Sequence, residues 1–224
     1  MKKGSWTLAG ELTELSGKGD LGGWFHQVGL IGQGDDLREL EIVRDWYRSG
    51  AETYGLRFAV ISHAGNRQEC FMKACVAYGG GMSLPDIFGS WLARRAVVAE
   101  SGIATPRIYA AGAALVVEEY IPYTLSDALL HGRQRPGIVG SIGSTAARLI
   151  NAGFIPISSH DWRSRGGDVV LVDFGQDLGP SDMSHGSESG LLSEVLDNLL
   201  NDGVKLSDDE LRLIGSVYER ALHS

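Results

Sequence analysis

Apolar and polar positions fall into two textures along the 224 residues. In the first half the apolar positions come as short extended runs. Leu56-Arg57-Phe58-Ala59-Val60-Ile61 and Cys70-Phe71-Met72-Lys73-Ala74-Cys75-Val76 predict two strands. The turn chemistry of His63-Ala64-Gly65-Asn66-Arg67 joins them as a hairpin. Thr105 to Tyr109 and Ala114 to Tyr120 predict two more strands. Between the pairs, Ser83 is placed to cap a helix from Leu84 to Glu100, with Pro85 in its first turn and Gly102 closing it. The second half is helical: Leu125 to Leu130, Ile138 to Ala152 stopped by Gly153, Leu191 to Asn201, and Ser207 to Leu222. Ser207 and Glu210 have capping-box spacing. Val169 to Val172 reads as a short buried strand fed by the turn Arg165-Gly166-Gly167-Asp168. Leu37 to Arg48 carries both helical and extended signals, and the glycine-rich residues 1–35 take no assignment, short strands and an arm both fitting. Strands first and helices second predict an α+β chain of two lobes, hinged near Glu119 to Pro122.

Composition narrows the classes. The net charge is 20 − 28 = −8, which disfavours nucleic acid as a partner because that binding needs clustered Lys and Arg. No apolar run approaches the ~18 residues that cross a bilayer, so no membrane partner is expected. The segment Met1-Lys2-Lys3-Gly4-Ser5-Trp6 leads into Gly10-Glu11 rather than an apolar stretch, so no secretory signal is expected either. The two cysteines, Cys70 and Cys75, lie five apart in an extended run and point to opposite faces. Reduced thiols and a cytoplasmic location follow as expectations. Glycine supplies 31 residues, roughly twice the usual share, which suits many turns or backbone close to a ligand.

Three groups could do chemistry. Asp173, in Asp173-Phe174-Gly175, leaves an apolar strand where a carboxylate can reach a metal ion or simply cap a turn. Asp161 lies twelve residues upstream, across a hairpin whose ends return to each other. Two converging carboxylates would form a Mg²⁺ site for a phosphate substrate, and two unrelated surface acids are the plainer alternative. Lys73 stands inside an apolar strand, where an ammonium needs a partner such as phosphate, or a route to the sheet edge. Ser49 to Gly55, with Gly50 in its turn, precedes the first hairpin strand and could lie over phosphate groups, an ordinary loop being the plainer reading. Gly17-Lys18-Gly19-Asp20-Leu21-Gly22 has dinucleotide-loop spacing, but no buried strand leads in and no helical pattern follows, so it is set aside.

In their order, these elements resemble the protein-kinase-like fold, in particular its small bacterial branch of aminoglycoside phosphotransferases and related small-molecule kinases. The resemblance spans roughly residues 42 to 222. Phe71-Met72-Lys73 looks like the strand with the ATP-phosphate lysine, and Gly102 to Ile108 like the link from helix to next strand. Leu115 to Pro122 looks like the hinge whose backbone, at Glu119 and Ile121, would hold adenine. Ala146 to Phe154 resembles the helix before the catalytic loop, and Val169 to Gly175 the strand and metal-binding Asp-Phe-Gly. The resemblance implies an unassigned segment 1–35, a small antiparallel-sheet lobe 36–121 that binds nucleotide, and a mainly helical lobe 122–224.

Departures from the family pattern bear on activity. The loop Phe154-Ile155-Pro156-Ile157-Ser158-Ser159-His160-Asp161-Trp162-Arg163 admits two registers. In one, Asp161 is a metal ligand beside Asp173 and Pro156 stands at the base position. In the other, Asp161 is the base, His160 assists, and the following hairpin is short. The family's helix acid has no clear counterpart, the helix offering Asp86 near its start and Glu100 near its end. Phe71 stands where the family prefers a small side chain above adenine. The resemblance thus implies an ATP- and Mg²⁺-dependent phosphotransferase acting on a small hydroxylated or amino acceptor. The alternatives are a degenerate kinase-like protein that binds nucleotide or a partner without turnover, and an unrelated α+β binding protein in which the motif order is accidental. The acidic stretch Asp177 to Glu188 would favour a cationic acceptor or serve as a solvated loop.

Overall fold

Alternation of apolar and polar side chains builds the first half of the chain into strands. The computed structural model describes residues 21–46, 53–75, 84–112, 115–132, 134–156, 162–175, 178–180 and 188–224. Strands β1 (Leu37–Trp46), β2 (Thr53–Ser62), β3 (Arg67–Cys75), β4 (Ile108–Ala111) and β5 (Leu115–Glu119) form one antiparallel sheet in the order β1-β2-β3-β5-β4. The predicted β2–β3 hairpin is present, turning through Gly65 at φ +84°. The ambiguous stretch from Leu37 is a strand. Its alternation is broken by register shifts between Leu37 and Glu39 and between Ile42 and Arg44, which mixes the signal.

The chain divides into two compact units. The first holds the described residues up to Ser90 together with Arg107–Tyr120, and the second holds Trp91–Pro106 and Ile121–Ser224. Helix α2 (Leu84–Glu100) has the predicted bounds, and Gly102 follows at φ +75°. The predicted cap, Ser83, lies outside the described residues, as does the Gly79-Gly80-Gly81 break.

One face of the five-stranded sheet forms the core of the first unit. Leu56, Phe58 and Val60 of β2, Cys70, Met72 and Ala74 of β3, and Val117 of β5 are buried together with Phe25, Leu30 and Ile31. The last three belong to a helix, α1 (Leu21–Gln27), and the turn after it. This corrects the reading that no helix follows the glycine pattern ending at Gly22. Seven residues with two glycines carry little helical preference of their own; burying Phe25 contributes about 1.5–3 kcal/mol and fixes the helix.

Helices dominate the second unit: α3 (Leu125–Leu130), α4 (Arg135–Asn151), α5 (Glu188–Asn201) and α6 (Asp208–Leu222). Thr124 caps α3 by accepting from the Asp127 N–H, and Ser207 and Glu210 form the predicted capping box on α6. Helices α4 and α6 approach so closely that a Cβ at Gly143 would stand 2.3 Å from the Ile214 carbonyl oxygen. A three-stranded sheet of β6 (Tyr123–Thr124), β8 (Trp162–Arg165) and β9 (Asp168–Leu171), and a pair β7 (Phe154–Pro156) and β10 (Leu178–Pro180), complete the unit. Described helices include none long and apolar enough to cross a membrane.

Candidate functional site

Period-two alternation fixes which residues share the second face of the large sheet. Lys73 pairs in register with Gly55 on one side and Val116 on the other, and Phe71 pairs with Arg57 and Glu118. Side chains at these positions therefore stand on one face, opposite the apolar core. Lys73 Nζ lies 3.0 Å from Glu118 Oε1, and the two side chains are only 10% and 2% exposed. The partner that Lys73 requires is thus a carboxylate on β5. The helix acids Asp86 and Glu100 are both exposed. The signal was present in Val116-Val117-Glu118-Glu119, where alternation puts one glutamate on the lysine's face. A buried ion pair contributes little net stability, because desolvation offsets most of the attraction.

The surroundings of this pair are aromatic and charged. The Phe71 ring lies across Gly55, so close that a Cβ there would meet the Phe71 Cζ at 2.6 Å. The Lys73 ammonium is 5.8 Å from the Phe71 ring centroid. On the other side, the Tyr120 ring is 6.3 Å from that of Phe71, and the Arg57 guanidinium sits 4.1 Å over Tyr120. Arg57 also grips Glu69, and Arg67 bridges Glu69 and Glu41. The Arg67 hydrogen bond holds the exposed Glu41 carboxyl below its ordinary range. Of the expected hinge residues, Glu119 donates its backbone N–H to Arg107 O at 2.8 Å and accepts the Arg107 N–H on Oε2 at 3.1 Å. Ile121 is buried in the second unit.

In the second unit the predicted hairpin forms. Trp162 pairs with Leu171 and Arg165 with Asp168, through Gly166 and Gly167 at φ +60° and +91°. Gly167 lies against helix α4, where a Cβ on Gly137 would stand 3.1 Å from its carbonyl oxygen. Beyond this ladder Asp173 is half-buried and accepts the Gly175 N–H on Oδ1 at 3.1 Å, the turn-capping arrangement. Its Oδ2 takes no hydrogen bond from any described residue. Phe174 is buried, meets Trp91 edge-on at 5.2 Å, and its carbonyl accepts Arg94 Nε at 2.7 Å. Helix α2 thereby fixes the turn that presents Asp173.

Asp161, His160 and Gly50 lie outside the described residues. Among the described residues no three of His, Cys, Asp and Glu converge to hold a metal ion. Cys70 is a free buried thiol, pushed up to about 12 by burial and then by the Glu69 charge. It is inert as a nucleophile. No protein-family model matches the chain, and no curated protein matches it.

Proposed function

We propose that the chain is a two-lobed protein-kinase-like protein that uses ATP and Mg²⁺ to phosphorylate a small hydroxylated or amino compound. The buried Lys73–Glu118 pair is the observation that carries this reading, because an ammonium held inside a sheet is poised for an anionic ligand. The order of elements supports it: lysine strand, helix α2, strand β5 running into the hinge, helix α4, then the hairpin and Asp173. In this reading Lys73 would meet the phosphates, with Gly50 in the loop above them. Glu119 and Ile121 would offer backbone groups to adenine. Asp173 and Asp161 would hold Mg²⁺, which neutralises charge developing on the transferred phosphoryl group. In the other register Asp161 would orient the acceptor hydroxyl with His160 beside it. A cytoplasmic location fits the unpaired thiol of Cys70.

A second reading, nucleotide or partner binding without turnover, is favoured by two observations. A carboxylate of β5 already holds Lys73, and Phe71 already covers Gly55.

Thermal unfolding with ATP, in the presence and absence of Mg²⁺, tests the binding claim. At a hundredfold excess over Kd, ligand raises stability by about 2.7 kcal/mol. The Mg²⁺-dependent part is expected to vanish in Asp173→Ala, and the whole shift in Lys73→Met. A chain indifferent to ATP and to Mg²⁺ would sink the proposal. ATP turnover across sugars, amino alcohols and aminoglycosides separates the two readings.

A further inference from the structure

We propose that Phe71 is the specificity-determining residue of the nucleotide site: its ring occupies the strip of sheet that the base must cross, so the resting site admits a polyphosphate ahead of a nucleobase. The inference rests on the nucleotide-site reading above. The ladder sets the geometry. On β3, Phe71 is two residues from Lys73 on the same face, and it is the register partner of Glu118 on β5. The residue before it, Cys70, is the register partner of Glu119, where the expected hinge backbone begins. A ligand with phosphates at Lys73 and a base at Glu119 would therefore run over position 71.

That position is full. The ring is seated on Gly55, the one residue in the neighbouring strand with no side chain to hold it away, and a Cβ there would stand 2.6 Å from it. Tyr120 closes the far side at 6.3 Å between ring centroids, with Arg57 stacked above Tyr120. The Lys73 ammonium stands 5.8 Å from the ring centroid, and in this proposal a phosphate meets it beside the ring rather than beneath it. Rotating the ring off Gly55 opens the strip. If the ring is off its seat about one time in ten, the apparent Kd for a nucleotide rises about tenfold over that of the open site.

The test compares Mg²⁺-ATP with inorganic tripolyphosphate, which has the anionic end and no base, by calorimetric titration of the full chain. Phe71→Ala is expected to tighten Mg²⁺-ATP about tenfold and to leave tripolyphosphate unchanged. The Lys73→Met substitution is expected to abolish both. Phe71→Val, which keeps a good strand former in β3, is the second variant should the alanine chain fail to fold, and is expected to give the same selective gain. Equal affinity of wild type and variant for ATP would overturn the gate while leaving the nucleotide site standing. Equal gains for ATP and tripolyphosphate would also overturn it, since the ring would then merely shield Lys73. Absence of any Lys73-dependent binding of either ligand would remove the nucleotide site itself, and the gate with it.

Discussion

In the first unit Arg57, Arg67 and Lys73 end on the carboxylates of Glu69, Glu41 and Glu118. In the second, Arg94, Arg95 and Arg148 end on the carbonyls of Phe174, Pro106 and Gly102. Arg135 does both, reaching Glu210 and the carbonyls of Leu129 and Lys205. The two patterns do different work. An arginine on a carbonyl stitches loop to helix and satisfies acceptors that would otherwise go unpaired. A cation on a carboxylate cancels charge, which matters most where water is excluded. Among the ion pairs of the described residues, Lys73–Glu118 is the most deeply buried.

The contrast is broken most sharply at that pair. Glu118→Gln leaves the Lys73 ammonium buried without its carboxylate and is expected to cost about 3–5 kcal/mol, read from urea unfolding. The double change Lys73→Met with Glu118→Leu should restore most of that loss, since an apolar pair of similar volume often replaces a buried ion pair at no cost. If Glu118→Gln unfolds at the wild-type midpoint, the pair is not desolvated as described. Next in size is a backbone approach in the second unit. Gly143→Ala forces a Cβ to 2.3 Å from the Ile214 carbonyl oxygen and 2.9 Å from the Tyr218 nitrogen. Separating α4 from α6 should cost about 2–3 kcal/mol, seen as a lower thermal midpoint.

The half-buried Arg135–Glu210 pair gives a smaller, pH-dependent effect. Hydrogen bonds from Arg135, then from the Ser207 backbone, hold the Glu210 carboxyl down at about 2, against an ordinary 4.5. A carboxyl depressed on folding stabilises the fold above its unfolded value and loses that contribution as pH falls from 4.5 toward 2. Solvent screening holds the contribution to about 1 kcal/mol. Stability measured across this window should fall less steeply in Glu210→Gln than in the wild type. Smallest is Ser207→Ala, which removes the side-chain half of the capping box and should cost about 0.5–1 kcal/mol, with helix α6 fraying first by hydrogen exchange.

Local chemistry explains what was legible in advance. Gly102 and Pro85 bracket α2, Gly166-Gly167 forces the β8–β9 turn, and Ser207 with Glu210 opens α6; each signal acts within a few residues. Where tertiary packing decides, the sequence reading failed. Helix α1 exists through Phe25 on the sheet core, and β1 is an edge strand with two register shifts. The strand expected at Thr105 to Tyr109 starts at Ile108, after Pro106, whose nitrogen cannot donate to a ladder. β7 and β10 have three residues each, too few to show a period. At the candidate site, Lys73 stands out in the sequence as a cation in an apolar strand, and the adjacent strand supplies Glu118 as an ion-pair partner.

The strand order carries a consequence for synthesis. β3 ends at Cys75, yet the neighbour that completes its hydrogen bonds, β5, begins only at Leu115. At ribosomal speeds of about 5–20 residues per second, β3 is an open sheet edge for roughly 2–8 s. During that interval Lys73 has no Glu118 beside it, and a lone charge on an edge strand deters pairing with a stranger chain. The lone ammonium thus disfavours edge-to-edge pairing of the nascent sheet until β5 arrives.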